Sequence, residues 1–480
     1  MIYRVIKFQI LITLTIAGLL SACAEQKLAG TAITNVTVID GINGVRKNQT
    51  VIFEDDKIIA VQAADLATPV SKYLDGNEKF LIPGLWDFHV HLTYDEAFTD
   101  SMPALFLYYG ITSVRDTGGL MQKMLPLVKK LRSKTAISPR VFFSGPLLDG
   151  KTVVYDGESR PAIGSKNATQ EEAKLKIAKL KKQGVDFIKI YEMVSPAVFS
   201  AMVDAAAEHA LPTAAHVPLS LRARTAGSSV NSMEHLRNIE LDCAANVEEL
   251  HRERLLLLKN PNKLPGAQLR VALHKLQRIP AIKNYDEKIC NQTLNALRST
   301  VQIPTLRLNS FILSPPYERS DWLKAMGKLP EGIRSQWEKV IEELEDNSIH
   351  ADATFAEWSF FLTELLHRQG VPIAAGTDTP IGLAVPGYSL HSELELLVRA
   401  GLSPLDAIRS ATLEPARYFS LVDKMGSIDI GKKADLVLLD ANPLEDIANT
   451  RQISAVISRG VILLPEDLSE LVKTSKNARH

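Results

Sequence analysis

Eight short apolar runs, each followed by a stretch of helical periodicity, constrain this chain more than any other feature of its sequence. They cover residues 84–91, 112–116, 140–145, 186–191, 212–216, 232–235, 303–308 and 371–378. A strand that is apolar on both faces belongs in a parallel sheet with helices over each side. Eight such units in series predict an α/β protein built on a (β/α)8 TIM barrel. Helix starts are marked between them: Thr169 with Glu172 fits a capping box, and Ser195-Pro196 and Ser403-Pro404 pair an N-cap with a first-turn proline. The lysine-rich stretch 174–182 reads as the solvated face of one such helix.

The flanks follow a different pattern. Residues 32–40, 49–53 and 57–61 are β-rich pieces separated by Gly41, Gly44 and the Glu54-Asp55-Asp56 turn, and similar pieces return at 426–439 and 453–464. Both ends are therefore expected to pair into a small β-sandwich beside the barrel. The expected organisation is a leader at 1–22, sandwich at 23–82, barrel at 83–424, sandwich again at 425–466, and a tail at 467–480. Residues 241–300 are charged and helical in pattern with no strand of their own, which predicts an insertion after the sixth strand. A lid and a plain surface excursion are both open for it.

The leader is an address. Arg4 and Lys7 precede an apolar run at 8–20, then small residues before Cys23. The run is shorter than the roughly 20 residues a spanning helix needs. Leu20-Ser21-Ala22-Cys23 resembles the bacterial lipoprotein cleavage box, in which Cys23 becomes the lipidated first residue; a plain signal peptide and an uncleaved anchor are the alternatives. Glu25 is not the aspartate that favours inner-membrane retention, so the expected location is the cell envelope, anchored to the outer membrane and facing the periplasm. The 55 basic and 55 acidic residues become 53 and 55 once Arg4 and Lys7 are set aside. That balance lacks the basic footprint of a nucleic-acid binder. Of the remaining cysteines, Cys243 and Cys290 read as free and buried, with pairing in an oxidising compartment as the other reading.

Chemistry concentrates at the ends of the strands. His89 and His91 share one face of the first run, because strand side chains alternate. His216, His235 and Asp378 each close another run. Barrel active sites are assembled from strand C-terminal ends, so these five side chains should converge. Lys189 lies inside the fourth run, on the same face as Phe187 and Tyr191. A lysine inside a covered parallel strand is costly unless its amine is neutral, in which form it reacts with carbon dioxide to give a metal-bridging carbamate. The alternative is a lysine at the strand tip reaching solvent.

In this order, His89-x-His91, Lys189, His216, His235 and Asp378 resemble the binuclear metal site of the amidohydrolase superfamily. Residues 82–91, and Gly426-Ser427-Ile428 through Gly431-Lys432-Lys433-Ala434-Asp435-Leu436-Val437-Leu438, are similar to that superfamily's barrel opening and returning sandwich. The likeness extends over most of the chain after the leader. It is nearest to the imidazolonepropionase-like branch, whose Xaa-Pro dipeptidase-like members act on dipeptides and N-acyl amino acids. The resemblance implies two divalent ions, zinc first and manganese, cobalt or iron as alternatives. His89, His91 and Asp378 would hold the more buried ion, His216 and His235 the more exposed one, and carbamylated Lys189 would bridge them. It also implies that Asp378 takes a proton from the attacking hydroxide and delivers it to the leaving nitrogen. The chain departs from dipeptidase-like relatives at 217–222, where Val217-Pro218-Leu219-Ser220-Leu221-Arg222 stands in place of a glycine-rich stretch.

Tyr191 is expected to line the pocket. Arg115, Arg222 and Arg224 are candidate anchors for a substrate carboxylate, since a guanidinium matches it in a bidentate fork. His391 is a further candidate, with helix capping as its other reading. The leading function is binuclear hydrolysis of an amide or dipeptide-like carbon–nitrogen bond in a small-molecule or dipeptide substrate. The alternatives are a lactone or ester hydrolase or a mononuclear deaminase on the same scaffold, and a non-catalytic binding lipoprotein.

Overall fold

Period-2 alternation in the first flank places Ile33, Val51, Phe53 and Leu81 on one buried face, and this drives the chain into a sheet before the barrel begins. The computed structural model describes residues 28–65, 69–133, 137–158, 160–260, 263–346 and 352–476; the leader 1–22, Cys23 and the lipid-anchor reading lie outside them. Strand β1 (Leu28–Asp40) pairs antiparallel with β2 (Gly44–Glu54), and β2 with β3 (Lys57–Ala63). The other edge of β1 takes β4 (Val70–Asp75) and β5 (Phe80–Pro83) in parallel.

The chain then enters the barrel. One parallel arc is β6 (Leu85–Val90), β7 (Ile111–Asp116) and β8 (Arg140–Phe143). A second holds β9 (Leu147–Asp149), the short β10 (Gly164–Lys166), β11 (Ile188–Ile190), β12 (Thr213–Ala215), β13 (Ser232–Glu234) and β14 (Val301–Ile303). The arcs meet where the Asp186 amide donates to the Phe143 carbonyl at 2.9 Å. On the other side, residues 371–378 complete the ring. The Ala374 amide donates to Gln302 and the Phe88 amide to Ala375, each at 2.9 Å. Gly376 permits this closure, because a Cβ there would lie 2.8 Å from that of His89. The three expected N-caps are present: the side chains of Thr169, Ser195 and Ser403 accept from the amides of Glu172, Val198 and Asp406.

The seventh strand differs from the 303–308 expected. It ends at Ile303 because Pro304 has no amide to donate, and Leu306–Asn309 turns helical.

The described secondary structure of the insertion is chiefly helical: Ile239–Asp242, Val247–Leu257, Gly266–Lys283 and Glu287–Ala296. Contrary to the free thiols expected, Cys243 and Cys290 form a disulfide. The Asp286 amide donates to the Cys243 carbonyl at 2.9 Å, which brings together two helix ends that are distant in sequence.

After the barrel, β15 (Leu436–Leu439) lies antiparallel to β5, and β16 (Ile453–Ser458) and β17 (Val461–Leu463) extend the sheet outward. Both flanks thus build one sandwich around Ile33, Val51, Phe53, Leu436 and Ile457. Within the segment expected as a tail, Pro465–Lys476 is a helix, and its Leu468 packs beside Leu107.

Candidate metal centre

Four imidazoles, one aspartate and one lysine meet at the C-terminal mouth of the barrel. They line a cavity of about 330 Å³ together with Tyr191, Tyr155, Arg160, Arg237, Arg270 and Arg278. His89 and His91 point inward from β6 and its end, as the two-residue period requires. His89 Nε2 lies 3.2 Å and His91 Nε2 3.1 Å from Asp378 Oδ1. One ligand atom from each of these three residues falls within 4.8 Å of the others. His235 bridges the two sides of the centre, its ring centroid 4.6 Å from that of His89 and 4.7 Å from that of His216. Asp378 and His235 both have left-handed backbones, with φ of 61° and 64°. Such residues cost about 1–3 kcal/mol each and persist where their surroundings fix them. Here the Asp378 amide donates to His89 O at 2.7 Å and the His235 amide to Ile303 O at 2.7 Å.

Every imidazole is held from behind through Nδ1. The partners are Glu234 Oε2 for His89 (2.5 Å), the Gly118 carbonyl for His91 (3.1 Å), Glu192 Oε1 for His216 (2.7 Å) and Thr305 Oγ1 for His235 (2.7 Å). The Thr305 hydroxyl itself donates to the Pro304 carbonyl at 2.7 Å, so it accepts from His235. A hydrogen on each Nδ1 leaves Nε2 with a free lone pair turned to the cavity, the tautomer a metal ligand requires. Burial, with the Lys189 amine nearby, pushes His216 well below the usual imidazole range, and burial does the same to His235. Nitrogen donors joined by a carboxylate suit a divalent cation.

Lys189 does not reach solvent. Its side chain is 1% exposed, its Nζ makes no hydrogen bond among the described residues, and the nearest carboxylate oxygen, Glu234 Oε1, is 3.7 Å away. Burial lowers its pKa from 10.5 to about 8.

Tyr191 lines the cavity as expected, its ring 4.5 Å from that of His216. The other three anchors do not reach it. Arg115 is fully buried below the centre, stacked 3.9 Å over the Phe88 ring, and donates to Phe88 O, Ser232 Oγ and Glu234 Oε1. Against burial, which raises Glu234, Arg115 and Lys189 hold that carboxylate well below its usual range. Arg222 and Arg224 turn outward to Asp242 of the insertion. His391 is buried in the helix Tyr388–Arg399, between Thr450 Oγ1 and the Tyr109 carbonyl, each at 2.9 Å.

Sequence reasoning missed Glu192, Glu234, Thr305 and Arg237, which adjoin or follow the residues it chose, and also Arg270 and His274. The only trace of the last two was a polar i, i+4, i+7 stripe of Arg270, His274 and Gln277 inside the insertion.

The Amidohydrolase family's sequence pattern matches residues 80–463. The chain belongs to the Amidohydrolase family, whose name states its chemistry, hydrolysis of carbon–nitrogen bonds. Ochratoxinase from Aspergillus niger is 38% identical over 91 residues, so the chain spans 18% of that relative's length with 18% of its own. Imidazolonepropionase from Fusobacterium nucleatum subsp. nucleatum is 21% identical over 424 residues, 84% of this chain and 87% of that one. Among solved structures, a Xaa-Pro dipeptidase with bound methionine shares the fold. Its TM-score is 0.65 at 19% identity, covering 91% of this chain and 100% of the dipeptidase.

Proposed function

We propose that this chain is a binuclear metal-dependent amidohydrolase cleaving an amide or dipeptide-like bond in a small substrate. Lys189 carries the reading. A buried ammonium with three donors and no acceptor is costly. The neutral amine accounts for it: its nitrogen bonds to carbon dioxide and releases one proton, giving a carbamate with two oxygens to share. His89, His91 and Asp378 would then hold one ion and His216 and His235 the other, with the carbamate between them. Bound there, divalent ions, zinc foremost, supply Lewis acidity and lower the pKa of a bound water toward about 7.

The chain's own groups do the rest. Asp378 takes the proton of the attacking water and passes it to the leaving nitrogen. Arg237, just beyond β13, lies no closer than 3.7 Å to any carboxylate among the described residues, that of Glu192. Its guanidinium is therefore the anchor we assign to a substrate carboxylate, with Tyr191 as the adjacent wall. Dipeptides and N-acyl amino acids are the substrate class this supports.

Metal analysis of the purified protein should find close to two ions per chain, with hydrolysis of at least one dipeptide or N-acyl amino acid in a panel that includes lactones. Lys189→Ala should lower both metal content and rate. One ion per chain, or full activity without the lysine, overturns the binuclear reading. Turnover of lactones alone transfers the site to the ester-hydrolase alternative.

We further propose an envelope lipoprotein acylated at Cys23. The leader's pattern and the Cys243–Cys290 disulfide, a bond of oxidising compartments, support it. No described helix is long and apolar enough to cross a membrane. Cys23→Ser should move the protein from the membrane to the soluble fraction; unchanged membrane association refutes acylation.

A further inference from the structure

Glu192 joins two parts of the chain that are far apart in sequence. Its Oε1 accepts from His216 Nδ1 at 2.7 Å and from Arg270 Nη2 at 3.0 Å. Its Oε2 lies 2.9 Å from both Arg270 Nε and His274 Nε2. Both Glu192 oxygens are thus doubly engaged, and nothing of this carboxylate remains for solvent. His274 Nδ1 accepts from Arg278 Nη2 at 3.2 Å, which leaves its Nε2 to donate toward Glu192.

Arg270 and His274 lie one turn apart on the inserted helix Gly266–Lys283, and that helix is fixed at both ends. At its start, a Cβ on Gly266 would come within 2.3 Å of the Val153 carbonyl. At its finish, the Ala245 amide donates to Asn284 O at 2.7 Å beside the Cys243–Cys290 disulfide. A second path leaves the same face: Gln277 accepts from Arg254 Nε (2.7 Å), Arg254 Nη1 donates to Asn238 (2.9 Å), and Asn238 Nδ2 donates to the carbonyl of Val217, next to His216. His89 and His91 are steadied from inside the barrel, by Glu234 and Gly118.

We infer that the inserted helix is a positioning element for one half of the centre: Arg270 and His274, acting through Glu192, hold His216 in the orientation in which its Nε2 binds metal. This rests on the binuclear reading above. Arg270 is a positioning residue and not a substrate anchor, because its Nη2 donates to Glu192 and its Nε lies 2.9 Å from the same carboxylate. Loss of a partner that orients a metal ligand typically lowers metal affinity by about 10–100-fold.

The test is titration of the intact chain with Zn²⁺ against a competing chromophoric chelator, alongside thermal unfolding of the metal-free protein. Wild type should bind two ions. In Arg270→Met one of the two sites should weaken about 10–100-fold while the other keeps its affinity, and the metal-free unfolding midpoint should fall because the buried Glu192 carboxylate loses a partner. Arg270→Lys should recover only part of the loss, since it restores charge without the fork. If Arg270→Met fails to fold, His274→Leu should show the same one-sided weakening. Two unchanged sites, or two that weaken together, overturn the inference. Fewer than two ions on wild type overturns the binuclear reading itself.

Discussion

Where the barrel strands begin, Arg140 reaches Asp435 at 2.6 Å and also Asp56, Lys433 meets Asp56 at 2.7 Å, and Arg132 meets Asp186 at 2.5 Å. Where the strands end, the charged groups are wired differently. Among the described residues, Lys189 Nζ has no hydrogen bond, the histidine Nε2 atoms face the cavity, and Arg237 stands 3.7 Å from its nearest carboxylate. A network whose members satisfy one another stabilises the fold. One that leaves donors and lone pairs turned to a cavity gives up stability and gains affinity for what enters. The same division of barrel ends, stability below and chemistry above, is general to this architecture.

Mutations at the two ends of the barrel should separate stability from chemistry. The largest effect expected is at the mouth: Asp378→Asn should lower the steady-state rate on the order of 10²–10⁴-fold, the usual contribution of a positioned proton carrier, with circular dichroism unchanged. A smaller loss of rate would remove Asp378 from proton transfer. At the opposite end, Arg140→Ala should leave metal content intact and cost about 2 kcal/mol in denaturant unfolding, less than a fully buried pair because Arg140 keeps some exposure. Lost metal with unchanged stability would contradict the division. A last effect concerns Lys189 in metal-free protein. In the fold it loses its proton near pH 8, and in the unfolded chain only near 10.5, so the unfolded chain binds more protons between those values. Stability should rise with pH across that window, and Lys189→Met should abolish the rise. A parallel slope in both proteins would show that another group titrates.

The barrel was legible because its strands are apolar on both faces and end in metal-type side chains; His89 and His91 needed only the two-residue period. The support behind them was not legible. Glu192 and Glu234 adjoin chosen residues, but only the folded chain shows that their carboxylates turn back onto imidazole nitrogens. Arg115 looked like a rim cation because it sits near a strand end, yet its guanidinium enters the core and stacks on Phe88. Arg222 is captured by Asp242 of the insertion, and His391 by Thr450, a partner 59 residues away. The strand at 303–308 was misplaced although Pro304 marks its limit. Two cysteines 47 residues apart carry no local sign of pairing.

Strand β5 is held on one side by β1 and on the other by β15, with Pro83 opposite Leu436. The segment that leads into the barrel therefore gains its second neighbour only after some 350 further residues have been synthesised. Contacts of such long sequence separation form slowly, since the intervening loop must close first. A ribosome-bound chain lacking β15 leaves one edge of β5 unpaired, so the sandwich closes only after Leu436–Leu439 has been made.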